Sequence, residues 1–513
     1  MRINANITAI TANNSLQKAQ NRLSQSIQRL SSGYKINSSA DDPAGCAISE
    51  KMRVQIRGLD RADNNAADGV SVLNTAEGAL IEIQSMLTRM KELSVQAAND
   101  VNSDDEREAI QEELDSINKE IDRISEQTEF NTQSLINGNL TRRVYSDCQG
   151  VNQLECSDNY VAGNYGITVT QDARQAIMVS EGTMGLAGGA VITAQQAGSI
   201  ELNGYKVAIQ EGDNINTIMG KLVEAADKIG GTAFAIADTA NDSKTNGTQY
   251  AGYSPATTYS GNRLVIMTDE YGSNQSITIT CDNEELARAL GINQAAQDGG
   301  IVVQGSDVTA EFTTDASGER IGFDESAVLS TRGTKITVTD VNNKKFEMDV
   351  PGNIAGTQFD DTGSKPAATN NASQDIVQEV TDVGTMSIHI GANENQVIKL
   401  DIPAVTTYTL GIDKINVMTG LTASQSIEKV DEAINRTNSV RSKIGSYQNR
   451  FEHTQSNLAV SNENITSALS AMIDTDMAEE MTEYTSVNVL AQAATSILSQ
   501  ANERPATVLQ LLQ

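Results

Sequence analysis

The feature that most constrains this chain is where its helix breakers fall. Of 38 glycines in 513 residues, six lie within 1–140 and three within 403–513, which leaves 29 for the stretch between. From Ser446 to Arg504 there is neither Gly nor Pro. Both ends can therefore carry long uninterrupted helices, while the middle must turn often. The apolar spacing agrees. Leu16, Ala19, Leu23, Ile27 and Leu30 step by three and four; Leu80, Ile83, Leu87 and Met90 follow, then Ile110, Leu114, Ile117, Ile121 and Ile124. Towards the other end, Ile444, Phe451, Leu458, Ile465 and Met472 recur every seven residues, with Met477, Met481 and Tyr484 beyond. Heptad spacing of this kind belongs to helices wound against partners.

Between two of these seams, Asn99–Asp105 reads as a turn followed by an acidic helix start, so the N-terminal arm folds back on itself. Such helices cannot bury their stripes alone, and the economical solution pairs the two chain ends. The expected class is α+β multidomain: a long antiparallel helical bundle or coiled coil built from both termini, with a β-rich outer domain inserted at its far end. In that insertion, Asn203-Gly204 between two alternating runs predicts a hairpin over 199–209. A helix is predicted over 215–229. Strands are predicted at 232–237, 263–268, 276–280, 335–339, 346–350 and 386–390.

Composition excludes several functions. Aromatic residues make up 4% of the chain and Trp is absent, which suits thin helical seams better than large compact cores. With 37 basic against 67 acidic residues and a net charge of -30, the chain is a poor candidate for nucleic acid or an anionic membrane surface. His389 and His453 lie far apart and form no HExxH pattern, and Cys46, Cys148, Cys156 and Cys281 show no CxxC spacing. Cys148 and Cys156 either bridge across a hairpin or stay free. No stretch approaches the roughly 18 apolar residues of a membrane helix. The start lacks the basic-then-apolar pattern of a cleavable signal, so the expectation is a protein that stays inside or leaves by another route.

At this point residues become recognisable. The segment Arg29–Gly45 (RLSSGYKINSSADDPAG) closely resembles the signature of bacterial flagellins, as do Asp474–Met481, Asn488–Ala493 and the ending Ala501–Leu512. Thr385–Gln396 resembles the flagellin strand motif, and 199–280 a small β-rich flagellin module with one helix. Independently of the name, Gly33 suits a left-handed helix end, and Asp42 before Pro43 suits an N-cap with Pro in the first turn.

The resemblance implies a structural subunit that polymerises into the bacterial flagellar filament for swimming motility. It is exported through the flagellar type III apparatus and located outside the cell. It implies three domains: a terminal coiled-coil core of 1–42 with 473–513, a helical rod of 43–145 with 384–472, and a variable outer part of 146–383. The filament-core seam would include Leu16, Leu23, Ile27, Leu30, Met481, Leu490 and Leu498, with a spoke joint at Gly33, Asp42 and Pro43. The implied partners are further copies of the chain, an export chaperone, a cap protein and hook–filament junction proteins. The region of Arg89, Leu93 and Glu113 matches the flagellin segment that an innate-immune toll-like receptor recognises. Cys46 stands where the family usually has a larger aliphatic residue and reads as a small buried apolar group. No catalytic, metal or cofactor residue is expected. Gly182-x-x-Gly185-x-x-Gly188 lacks the strand-and-helix setting of a nucleotide loop. The rival readings are a hook–filament junction protein, an enzyme, and an adhesin or glycan binder in the outer domain.

Overall fold

The computed structural model describes residues 6–99, 101–157, 160–185, 190–236, 261–297, 299–315, 318–341, 344–352, 373–381 and 383–511, the last seven by their backbone alone. Gly188 and Ala237, invoked above, lie outside them, as does the end of the terminal motif. The helices are α1 (Ile7–Ser32), α2 (Pro43–Ala97), α3 (Asp104–Gln127), α4 (Ile215–Lys228), α5 (Glu284–Leu290), α6 (Thr407–Leu410), α7 (Gly420–Ile473) and α8 (Met477–Leu511). The chain divides into two compact units. One is formed by residues 1–70, 387–398 and 448–513, the other by 71–386 and 399–447. Long terminal helices around a central β-rich stretch are thus the architecture of the chain.

In the first unit, α1 and α8 run alongside each other, and the lower part of α2 lies against the lower part of α7. Leu59, Ala62 and Leu458 make the small core of that second pair, with Ala392 and Ile465 against it. Two glycines of α2 admit a close neighbour here. A Cβ on Gly58 would come within 2.9 Å of the Ala392 Cβ, and one on Gly69 within 2.8 Å of Ile388 and 3.0 Å of Phe451. The segment of the Thr385–Gln396 motif therefore packs directly on the helix backbone.

In the second unit, the heptad positions Leu73, Ala76, Leu80, Ile83, Leu87, Met90 and Ala97 of α2 are buried, as are Leu114 and Ile121 of α3 and Val430, Ala433 and Ile444 of α7. The turn into α3 is closed by a capping box between Ser103 and Glu106, with Asp104, Asp105 and Glu106 in the first turn. Arg107 reaches back to the Ala97 carbonyl at 3.1 Å.

The β-rich part holds two separate cores. The first joins a sheet ordered 328–332, 335–339, 345–349, 152–156 to a sheet ordered 309–312, 163–171, 374–380, 144–146. It is filled by Tyr160, Tyr165, Phe323 and Phe346 in edge-on contacts such as the 5.2 Å Tyr160–Tyr165 pair. The second packs α4 and α5 on a sheet ordered 301–304, 276–281, 198–202, 205–209, with a three-stranded sheet beside it. The Asn203-Gly204 turn has positive φ at both residues, 45° and 85°, the twist that a two-residue hairpin requires. The glycines of the Gly182 loop serve packing: Gly182 N–H donates to Gly291 O at 3.0 Å and Gly185 N–H to Ala289 O at 2.9 Å.

Candidate self-assembly surface

The α1–α8 pair is antiparallel, since Asn6 meets Ala501 at one end and Ser26 meets Glu480 at the other. Asn6 both caps α1, accepting from Ala9 N–H at 3.2 Å, and donates to the Ala501 carbonyl at 2.8 Å. Arg22 pairs with Glu483, and Arg29 stands 3.7 Å from Glu480. The buried positions are small: Ala12 and Ser26 on α1, and Val487, Ala494 and Ala501 on α8. These let the two backbones approach without large side chains between them.

The large residues read as the filament-core seam divide into two groups. Leu16, Leu23, Leu30 and Leu498 are half-buried. Ile27, Met481 and Leu490 are exposed in the isolated chain, at 49%, 48% and 54%. Within one chain the seam therefore does not run through those three. The break at 474–476 resets the helical phase, so Met477 and Met481 do not continue the stripe that ends at Met472. Val487, Ala494 and Ala501 also recur every seven residues, but two of the three are alanines, which give little hydrophobic contrast with surface positions. Ile7, Ile10, Met477, Val489 and Ile497 add to the apolar surface left open on α1 and α8.

Beside this surface lies the joint. Gly33 ends α1 at φ +77°, and its N–H donates to Arg29 O. Asp42 Oδ1 accepts from Ala44 N–H at 3.1 Å and Gly45 N–H at 3.0 Å, with Pro43 as the first residue of α2. Asp41 closes the loop between, and hydrogen bonds led by the Ser38 N–H hold its carboxyl below the usual range. Opposite stands the break between α7 and α8, where Asp476 caps α8. The two breaks are tied together: Lys35 N–H donates to Ile473 O at 2.6 Å and Thr475 N–H to Gly33 O at 2.9 Å, around a bridge between Tyr34 and Asp474.

In the second unit, Arg89 donates to Glu113 at 3.0 Å and to Glu92 at 3.3 Å, and the Glu113 hydrogen bond chiefly raises its pKa. Arg89 and Glu113 are exposed, whereas Leu93 is buried at 2% and its side chain belongs to the core. All four cysteines are free. Cys46 is half-buried near the start of α2, and burial pushes the Cys156 thiol up to about 12. His389 ends a strand, and its carbonyl accepts from Asn65 at 2.9 Å. Among the described residues no group of three His, Cys, Asp or Glu could hold a metal ion, and no helix is long and apolar enough to cross a membrane.

The bacterial flagellin N-terminal helical region matches residues 3–141, and the bacterial flagellin C-terminal helical region matches residues 427–512. The chain belongs to the bacterial flagellin family. The two matched regions bracket the β-rich stretch and contain both helix breaks of the joint. Similarity to individual flagellins also extends across the middle. Polar flagellin B/D of Vibrio parahaemolyticus is 29% identical over 99% of each chain. Flagellin of Salmonella typhimurium is 29% identical over 100% of this chain and 99% of its own. Flagellin of Clostridium tyrobutyricum is 29% identical over 98% of this chain and 100% of its own. Solved structures superpose only loosely. FliC from Burkholderia pseudomallei is 14% identical, covering 74% of this chain and 99% of that one at a TM-score of 0.22, and adds nothing to the family assignment.

Proposed function

We propose that this flagellin-family chain is the structural subunit of a bacterial flagellar filament. Its terminal helices polymerise it, with 1–42 and 473–513 as core, 43–145 and 384–472 as rod, and 146–383 facing outward. The observation that carries the reading is the set of large apolar side chains left open around α1 and α8, including Ile7 at 72% and Val489 at 65% exposure. Helices that are apolar on more than one side need a further partner to cover them. Copies of the same chain can cover them through a head-to-tail contact that does not close, which builds an open helix. The export chaperone, cap protein and hook–filament junction proteins are its proposed partners, and its place is outside the cell.

Removing residues 504–513 is expected to leave a helical, folded monomer that does not assemble after salting-out, as read by negative-stain microscopy. Removing 146–383 is expected to leave assembly intact. Normal filaments from the first variant would count against the reading. The rival, a hook–filament junction protein, would not polymerise on its own under any of these conditions.

The exposed Arg89–Glu113 pair is our candidate for contact with an innate-immune toll-like receptor, with Leu93 acting from beneath by holding α2 in place. Arg89→Asp is expected to weaken activation of a receptor reporter by monomer roughly tenfold or more, as loss of an interfacial Arg commonly does. Unchanged potency in a folded variant would remove this site.

A further inference from the structure

We propose that neighbouring copies meet by seating a basic ridge on α2 of one copy in an acidic groove between α2 and α7 of the next. The proposal rests on the filament reading above and names the surfaces that would carry it.

The ridge comes from helical spacing. At 3.6 residues per turn, Ala47, Lys51, Val54, Arg57 and Arg61 share one face of α2. All five are exposed, and Val54 is 67% open. Glu50 shares this face and is already paired with Arg53 at 2.9 Å. Among the described residues Lys51, Arg57 and Arg61 have no carboxylate within ion-pairing distance. Three unpaired cations on one helix face are conspicuous in a chain of net charge -30.

The groove lies on the far side of the same helix. Leu59 and Asp63 of α2 point about half a turn away from Val54. With Leu458, Asn462, Glu463 and Ser470 of α7 they line an open groove of about 600 Å³. Its floor is apolar, Leu59 and Leu458 being buried, and its rim is Asp60, Asp63 and Glu463. Asp60 is held by Asn462 at 2.5 Å, and no Lys or Arg neutralises Asp63 or Glu463 among the described residues. A ridge with an apolar centre and cationic flanks thus has its complement on the opposite face of the helix that bears it.

A second copy is the occupant that supplies both halves at once. Chains this acidic repel one another, so a side-by-side contact needs opposite charges where they touch. Two different faces of one molecule make the contact heterologous, which propagates without closing.

The test uses the full chain. A ridge variant, Arg57→Glu with Arg61→Glu, and a groove variant, Asp63→Lys with Glu463→Lys, are each checked for helicity by circular dichroism. Each alone is expected to raise the critical concentration for assembly about tenfold or more, because like charges then face each other. An equimolar mixture of the two restores every contact in an alternating polymer and is expected to assemble at the unaltered chain's concentration, with both variants in equal amount. Assembly of either folded variant as readily as the unaltered chain would overturn the proposal, as would a mixture that stays monomeric. Failure of the unaltered chain to assemble would instead remove the filament reading itself.

Discussion

A chain carrying Leu490→Asp and Ile497→Asp is expected to fold normally and to stop polymerising. The two positions are one heptad apart on α8 and expose 54% and 57% of their surface, so neither holds the isolated chain together. The residues that do, Val487, Ala494 and Ala501, are buried one turn away, and Leu490 and Ile497 stand on the open flank of that stripe. Covering an aliphatic side chain contributes about 1.5–3 kcal/mol, and leaving a carboxylate in its place adds a desolvation cost. Two such changes remove at least about 4 kcal/mol from each contact, on the order of a thousandfold in critical concentration. Sedimentation across a concentration series reads this directly, with circular dichroism confirming that α8 is intact. Filaments at the original concentration would show that this face of α8 is not where copies meet.

Replacing Arg436 by alanine should destabilise the β-rich core of the second unit. Arg436 projects from α7 into a largely buried site, 3.3 Å from Glu347 and 3.0 Å from the Leu154 carbonyl. Lys345 also contacts Glu347, at 2.9 Å, and Glu155, at 3.1 Å. Removing one member of a buried ion network leaves charge uncompensated, at a cost of about 3 kcal/mol here since Lys345 remains. Because Trp is absent, the near-ultraviolet signal of Tyr160 and Tyr165 in that core can follow the transition. Arg436→Met with Glu347→Met should instead recover most of the loss, since an apolar pair of similar volume does not need compensation and Lys345 keeps Glu155. A loss below about 1 kcal/mol would mean that the network does not hold the core.

The same site sets an acid limit. Burial opposes ionisation of Glu347, but Arg436 and then Lys345 outweigh it and hold the carboxyl below its ordinary value of 4.5. A carboxylate with a depressed folded pKa contributes its stability above the unfolded value. That contribution falls away as pH drops from about 4.5 through the folded value. The Arg436→Ala chain should therefore lose less on acidification than the original.

How much of this was written in the sequence varies with distance along the chain. The α2 and α3 seams could be read because Leu80, Ile83, Leu87, Leu114 and Ile121 follow a local period, and local periods report directly on which face is buried. The Asn203-Gly204 hairpin and the 335–339 strand were legible for the same reason. Along α1 and α8 only the half-buried Leu16, Leu23, Leu30 and Leu498 could be read, because alanine and serine at buried positions carry no hydrophobic signal that separates them from surface residues. The network around Arg436 was also out of reach: positions 155, 345, 347 and 436 meet only once the chain has folded. Leu93 shows a further limit, since a motif match cannot tell a side chain that faces a partner from one that supports the helix beneath it.

The tie between the two helix breaks has a consequence for how the terminal helices can diverge. It is made by main-chain atoms, Lys35 to Ile473 and Thr475 to Gly33, and these bonds are indifferent to the side chains they carry. Side-chain changes at 34–36, 474 and 475 other than to proline leave them in place, whereas Gly33 is constrained by its left-handed backbone and Ile473 by its burial. Lineages can thus vary the side chains around this strut without unhinging it, and mutational drift there leaves the mechanical link between the first and last stretches of the polypeptide intact.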